Sequence, residues 1–203
     1  MTLMQSLDTG IRRAGAPDRA AVAAIVAAGL FDDPVTQWLL PDLEHRREVI
    51  LPMFEVYIGA YLAHGATYLT ADGTGAAVWL PPGAELLTDE QEQPFLDALT
   101  TLMGPGVGRL FQLEESFAGH HPAEPLYYCN FLSTVPAFQG RGIGSAFLQD
   151  MLQRADADGL PAYHEATSPR NRALYERHGY VNQGELVLPD GGPTLWRMWR
   201  DPR

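Results

Sequence analysis

The chain has 203 residues, and its 14 basic against 25 acidic side chains leave a formal net charge of −11. Every basic residue is an arginine, which excludes chemistry built on a lysine, such as a phosphate-loop lysine or a pyridoxal Schiff base. Nucleic acid is not expected as a partner, because its binding needs clustered cations that neutralise phosphates.

In chain order, Ile11 to Arg13 reads as the end of a first strand, and Pro17-Asp18 leads into an alanine-rich helix ending near Leu30. Met1 to Arg13 lacks an apolar stretch fit for a signal peptide, and Ala20 to Phe31 is too short to span a bilayer, so no membrane association is expected. Asp32-Asp33-Pro34 breaks the helix. A second helical pattern runs from about Asp42 to Ala63, with Pro52 suggesting a kink or a join between two helices. Ala66 to Ala71 and Ala76 to Leu80 form a hairpin, and two further helices separated by Gly104-Pro105-Gly106 fill Asp89 to Phe117. No internal repeat or low-complexity linker divides the chain, so one α/β (α+β) domain over 1–203 is expected.

From residue 126 onward the pattern is β-α-β-α-β-β. Leu126 to Val135 is a strand rich in aromatic and β-branched residues, and Ser145 to about Asp158 is an amphipathic helix. Ala162 to Ala166 is a short strand; Ser168-Pro169 supplies an N-cap followed by proline at the first helical position. Tyr180 to Leu188 and Thr194 to Arg200 close the chain as a hairpin. Charge follows the same division: residues 1–125 hold 6 Arg and 17 Asp+Glu, whereas residues 126–203 hold 8 of each. The lone Cys129 cannot form an internal disulfide and no His/Cys spacing suits zinc, so a reduced cytoplasmic chain without metal is expected.

Two segments carry chemistry. Leu132-Ser133-Thr134 leads through Val135 to Phe138 into Gln139-Gly140-Arg141-Gly142-Ile143-Gly144-Ser145, a glycine-rich turn opening a helix. Free backbone N–H groups and the positive helix end converge there on an anion site, which a Cβ at Gly142 or Gly144 is expected to obstruct. The dinucleotide fingerprint fails in either register, since the third glycine position holds Ser145 or Phe147. The second segment, Ser168 to Tyr180, places Asn171 and Tyr175 four residues apart on one helical face.

Gln139 to Gly144 matches Gln/Arg-x-x-Gly-x-Gly/Ala and resembles the pyrophosphate loop of the GNAT acetyltransferases. Asn171 to Tyr180 resembles the same family's Asn…Ala-x-x-Leu-Tyr-x-x-x-Gly-Phe signature, with a compact Asn-x-Ala spacing and Tyr180 for phenylalanine. His121-Pro122, Glu165 to Asn171, and Gly192-Pro193 before Trp196-Arg197-Met198 resemble the puromycin N-acetyltransferase-like branch, as do, more loosely, Phe31 to Pro34 and Trp79 to Pro82. The resemblance implies a mixed central sheet flanked by helices, with 126–203 binding acetyl-CoA as co-substrate and 1–125 forming the acceptor side.

It also implies transfer of an acetyl group to a small-molecule amine by direct attack. The alternatives are transfer to a hydroxyl, or an acyl-CoA-binding module without catalysis. CoA pyrophosphate would sit on Gln139 to Ser145, with Asn171 beside it, and the pantetheine arm would pair with Leu132 to Thr134. A backbone N–H near Thr134 would steady the oxyanion. Tyr175 would protonate the leaving thiolate, and Glu165 is the candidate base, with His120, His121 and Asp33 as rivals. Cys129, mid-strand, reads as a buried structural thiol. Trp38, Tyr57, Trp79, Glu114 and Tyr128 are candidates for the acceptor pocket, and the acidity of 1–125 favours a cationic acceptor.

Overall fold

The computed structural model describes residues 10–203; residues 1–9, part of the stretch read above for a signal peptide, lie outside the described residues. The first part contains β1 (Ile11–Arg13), α1 (Arg19–Leu30), α2 (Pro34–Leu39), α3 (Leu43–Leu62), β2 (Thr67–Thr70), β3 (Gly75–Leu80), α4 (Asp89–Met103) and α5 (Val107–Ala118). The second contains β4 (Tyr127–Thr134), α6 (Ile143–Asp158), β5 (Ala162–Ala166), α7 (Pro169–Arg177), β6 (Val181–Val187) and β7 (Thr194–Arg200).

The strands form one mixed sheet in the order β1-β2-β3-β4-β5-β7-β6, antiparallel except where β4 lies beside β5. Alternation along the strands divides the core between two faces. Ala76 and Val78 of β3 join the cluster built by α1 to α5, whereas Ala77 and Trp79 join that of α6 and α7. The α/β sheet expected from the sequence is therefore present, flanked by helices on both faces.

Two local departures matter. Pro52 lies within an uninterrupted α3, so the expected join between two helices is absent. α2 was not legible as a helix, although Asp33 caps it by accepting the Val35 N–H at 2.9 Å and Pro34 occupies its first turn. This is the same cap-and-proline start that Ser168-Pro169 gives α7.

The alanine-rich α1 packs closely on β4. Ser133 donates its hydroxyl to the Ile25 carbonyl at 3.0 Å. A Cβ on Gly29 would stand 2.0 Å from Ser133 Oγ and 2.9 Å from the Thr134 carbonyl oxygen. The hydroxyl can rotate aside, but the backbone oxygen cannot. Gly29→Ala should therefore lower the unfolding free energy by about 1–3 kcal/mol, read by urea denaturation. A change below about 0.5 kcal/mol would mean that α1 slides freely on the sheet.

Candidate active site

β4 and β5 pair in parallel at only two positions, Tyr127 with Ala162 and Tyr128 with Tyr163. Beyond these the strands part. β4 stays in register with β3 up to Thr134 opposite Gly75, and the Val135 N–H donates to Thr74 at 2.9 Å. In an antiparallel ladder, hydrogen-bonding direction alternates, so Phe131 and Ser133 face β3 while Leu132 and Thr134 turn their N–H and C=O groups towards the gap. The side chain of Gln139 reaches the Thr134 carbonyl at 3.2 Å, consistent with that direction.

A bulge sharpens the parting. Val78 faces Phe131 and Trp79 faces Cys129, leaving Asn130 as the extra residue. Asn130 and Phe131 consequently both meet α3: Asn130 Nδ2 donates to the Tyr61 hydroxyl, and Phe131 packs edge-on to Phe54, Tyr57 and Tyr61.

At the foot of the gap lies the glycine turn. Gly140 and Gly142 have φ of 78° and 90°, in the left-handed region where a side chain is strained. Gly142 caps α6 without a side-chain hydrogen bond, so the first N–H groups of the helix stay open to an anion. Arg141 lies over the Phe138 ring at 4.9 Å, and Arg170 donates to Gln139 Oε1 at 3.2 Å. Ile143 is buried, and Ser145 is half-buried at the start of α6. Gly144 corrects the sequence reading: a Cβ there would meet Leu174 and Leu132 at 3.5 and 3.8 Å, ordinary contact distances, rather than intrude on the anion site.

The gap opens into a cavity of about 450 Å³ bounded by α2, α3, α5, β4, β5 and α7. Its lining includes three carboxylates (Asp33, Glu114 and Glu165) and no arginine. Glu165 is 5% exposed and accepts the Tyr128 hydroxyl at 2.8 Å. Arg197, opposite it in register on β7, instead turns its guanidinium to the Gln183 carbonyl at 3.0 Å. Burial without a cation pushes the Glu165 pKa up to about 7, against the opposing hydrogen bond from Tyr128.

Asp33 joins α2 to α7. It accepts the Thr167 hydroxyl, which in turn accepts Asn171 Nδ2 at 3.2 Å, and desolvation raises its pKa. Glu114 is exposed by surface area yet lines the cavity, and desolvation by the surrounding protein raises the pKa of its carboxyl. Tyr175 also lines the cavity and is 3% exposed, and burial holds its hydroxyl well above the usual pKa.

His164 was missed by the sequence reading. Its Nδ1 lies 2.5 Å from the Cys129 carbonyl oxygen, so that nitrogen carries the proton and Nε2 is left as an acceptor. Burial lowers its pKa to about 4, and the neutral ring packs 4.3 Å from that of Tyr175.

The structure thus brings together Glu165, Tyr175, Asn171, Asp33, His121, Tyr57, Glu114 and Tyr128 around one cavity. Trp38 and Trp79, expected as pocket candidates, are buried elsewhere: Trp38 beneath Arg109, and Trp79 in the cluster shared with α6. His120 lies outside it, exposed, with Nδ1 2.9 Å from the Ser116 carbonyl. Cys129 is fully buried and its thiol pKa is pushed well up by desolvation. Among the described residues no group of His, Cys, Asp and Glu has the arrangement of a metal site, and no helix is long and apolar enough to cross a membrane.

Residues 103–182 match the model of the acetyltransferase (GNAT) domain. An uncharacterized N-acetyltransferase of Schizosaccharomyces pombe is 25% identical over 190 residues, covering 87% of this chain and 76% of the relative. A Corynebacterium glutamicum structure described as histone acetyltransferase HPA2 and related acetyltransferase superposes with a TM-score of 0.72 at 25% identity, covering 95% of this chain and 96% of that one. The polyamine N-acetyltransferase of Drosophila melanogaster shares the fold, with a TM-score of 0.63 at 13% identity over 94% of this chain and 98% of its own. Residues 103–182 are thus similar to a GNAT acetyltransferase domain, and the relatives that the chain resembles over most of its length are named as acetyltransferases.

Burial of Glu165 has a thermodynamic consequence. Its native pKa of about 7 lies above the ordinary 4.5, so the native state holds this proton more tightly than the unfolded chain. The stability penalty is absent below pH 4.5 and fully present above pH 7. Glu165→Gln should raise the unfolding free energy at pH 8 by up to about 3 kcal/mol, with the gain disappearing towards pH 4. Equal gains at both pH values in paired denaturation curves would contradict a native carboxyl of raised pKa.

Proposed function

We propose that the chain transfers the acetyl group of acetyl-CoA to the amine of a small molecule by direct attack. The observation that carries this reading is Glu165, a buried carboxyl with a pKa of about 7, at the junction of an acid-walled cavity and the gap between β4 and β5. Acetyl-CoA supplies an activated acyl carbon on a thiolate leaving group. Its pyrophosphate would take the open N–H groups of the glycine turn, Gln139 to Ser145, with Arg141 and Arg170 adding positive charge nearby. Its pantetheine amides would pair with the gap-facing N–H and C=O of Leu132 and the N–H of Thr134, and Ser133 holds that strand against α1.

An amine arriving as an ammonium has no lone pair with which to attack. Glu165 removes that proton, and a pKa near 7 keeps it competent at neutral pH. Tyr175 stays protonated over the same range and donates to the departing thiolate. The buried, weakly acidic thiol of Cys129 is unsuited to forming an acyl-enzyme, which supports direct attack. The carboxylates and the absence of arginine in the cavity favour a cationic acceptor over an anionic one. We read residues 1–203 as one functional unit, because the cavity takes walls from both 1–125 and 126–203. The sequence resemblance to the puromycin N-acetyltransferase-like branch makes aminated antibiotics and secondary metabolites acceptors to test.

Thiol release from acetyl-CoA with a panel of amines and alcohols tests the reaction. Release with amines supports the reading, release with alcohols alone would make the chain an O-acyltransferase, and tight binding without release would make it a binding module. In kcat/KM against pH, activity should rise through about pH 7 as Glu165 ionises, and Glu165→Gln should abolish that acidic limb. Tyr175→Phe should lower kcat while leaving the KM for acetyl-CoA nearly unchanged. An unaltered limb in Glu165→Gln places the base elsewhere.

The glycine turn gives a separate expectation. Gly142→Val should weaken acetyl-CoA binding by at least about tenfold in calorimetry, since φ of 90° disfavours any side chain where the anion must approach. Gly144→Ala, whose Cβ meets leucine side chains at ordinary distance, should bind nearly as the parent does. Equal losses in both would detach the anion site from the left-handed position.

A further inference from the structure

We infer that Glu114 reads the far end of the acceptor, so that the chain prefers amines whose apolar body carries a second hydrogen-bond donor. The inference rests on the N-acetyltransferase reading and names the acceptor class for the same cavity. Glu114 lies on α5, in the part of the wall that faces α3, whereas Glu165 lies on β5 beside the gap. Leu39, Met53, Leu86, Leu110, Leu113 and Phe117 supply apolar wall in the same cavity. An acceptor reaching from the reacting centre towards α5 therefore leaves water for an apolar surface and meets a second carboxylate there.

That carboxylate has unused capacity. Among the described residues its only hydrogen bond comes from the Tyr57 hydroxyl, at a long 3.3 Å. A carboxylate accepts through two oxygens and about four lone-pair directions, so most of its capacity is open to a ligand. Tyr57 is itself fixed by edge-on contacts with Phe95 and Phe131, which holds the Tyr57–Glu114 pair on the wall. No side chain lining the cavity supplies a compensating cation. His164 is neutral, desolvation lowers the pKa of His121, and no arginine is present. The missing donor is one that a ligand would bring, either a hydroxyl or a second ammonium.

Hexylamine, aminohexanol and diaminohexane, with shorter and longer homologues of each, vary this donor on a matched apolar body. Wild type should favour the donor-bearing compounds in kcat/KM. Glu114→Gln keeps a neutral acceptor but loses the charge, so it should cost the diamine about tenfold or more while sparing the amino alcohol. Glu114→Leu should cost both about tenfold more than it costs hexylamine, with the KM for acetyl-CoA within about twofold of the parent. Retained hexylamine turnover also reports that each variant is folded. Equal losses on all three acceptors, or no loss on any, would overturn the inference. Should wild type turn over none of them, calorimetric binding to the CoA complex reads the same preference. Selective loss of binding in Glu114→Leu would then uphold the role of Glu114 while the N-acetyltransferase reading fails, and indifferent binding would overturn both.

Discussion

Two parallel strands that pair at Tyr127 and Tyr128 and then separate set the terms for the rest of the molecule. Backbone polar groups in a sheet interior ordinarily find partners, because an unpaired buried N–H or C=O costs as much as a lost hydrogen bond. Here Leu132 and Thr134 turn theirs into a gap between strands, a position the ladder with β3 cannot reach. The extra residue Asn130 makes the separation possible by bending β4 just beyond its last pair with β5. Glycines close the lower end, where β4 must turn into α6 with its first N–H groups facing the same opening. A fold that leaves this much hydrogen-bonding capacity unspent in one place is suited to a ligand that presents amides and phosphates.

Electrostatics on the cavity side follow from what is missing. Glu165 sits opposite Arg197 in the ladder, an arrangement that would ordinarily produce an ion pair and a low pKa. The bulge between Asn182 and Glu185 carries the Gln183 carbonyl to the guanidinium instead, and the carboxyl is left with a tyrosine for company. Its raised pKa is thus a result of burial, which strand geometry on the far side of β5 leaves without a compensating cation. Burying an uncompensated acid destabilises the fold, and such costs are commonly retained where function needs the strained state. Tyr175 and His164 complete the pattern, since the neutral imidazole presents no positive charge that would lower the phenol pKa.

The second part of the chain was legible because its signals are local. A glycine run at a strand-to-helix turn, a Ser-Pro helix start, and Asn171 four residues before Tyr175 each fix backbone and side-chain direction over a few residues. The order of elements after residue 126 and the gathering of Asn171, Tyr175 and Glu165 both follow from them. What escaped depends on tertiary arrangement. Trp38 and Trp79 looked as eligible for the pocket as Tyr57 and Tyr128, because the facing of an aromatic ring follows from sheet register and helix rotation. Asn130 and His164 were not singled out: a bulge has no sequence signature in Tyr-Tyr-Cys-Asn-Phe, and His164 matters through a carbonyl on the neighbouring strand. α2 could have been found, since Asp33-Pro34 repeats the logic of Ser168-Pro169, but six residues carry too little periodicity to announce a helix.

The uneven charge distribution acquires a physical meaning once the two parts are seen to share a cavity. Arginines in the second part flank the glycine turn, while the acidic first part supplies Asp33, Glu114 and the apolar wall. The parts meet where α1 lies on β4, a contact close enough to require glycine at position 29 beside the Thr134 backbone. α4 and α5 stand apart from that contact: α4 packs on α3, and α5 packs on α2 and α4. Changes on α5 can therefore reshape the cavity wall without moving Leu132, Thr134 or the glycine turn. Changes on α1 cannot, because any Cβ at position 29 presses on the strand that faces the gap. In the proposed reaction, selectivity for the acceptor and binding of the acyl donor would thus be carried by elements that can vary separately, joined at the tight contact at Gly29.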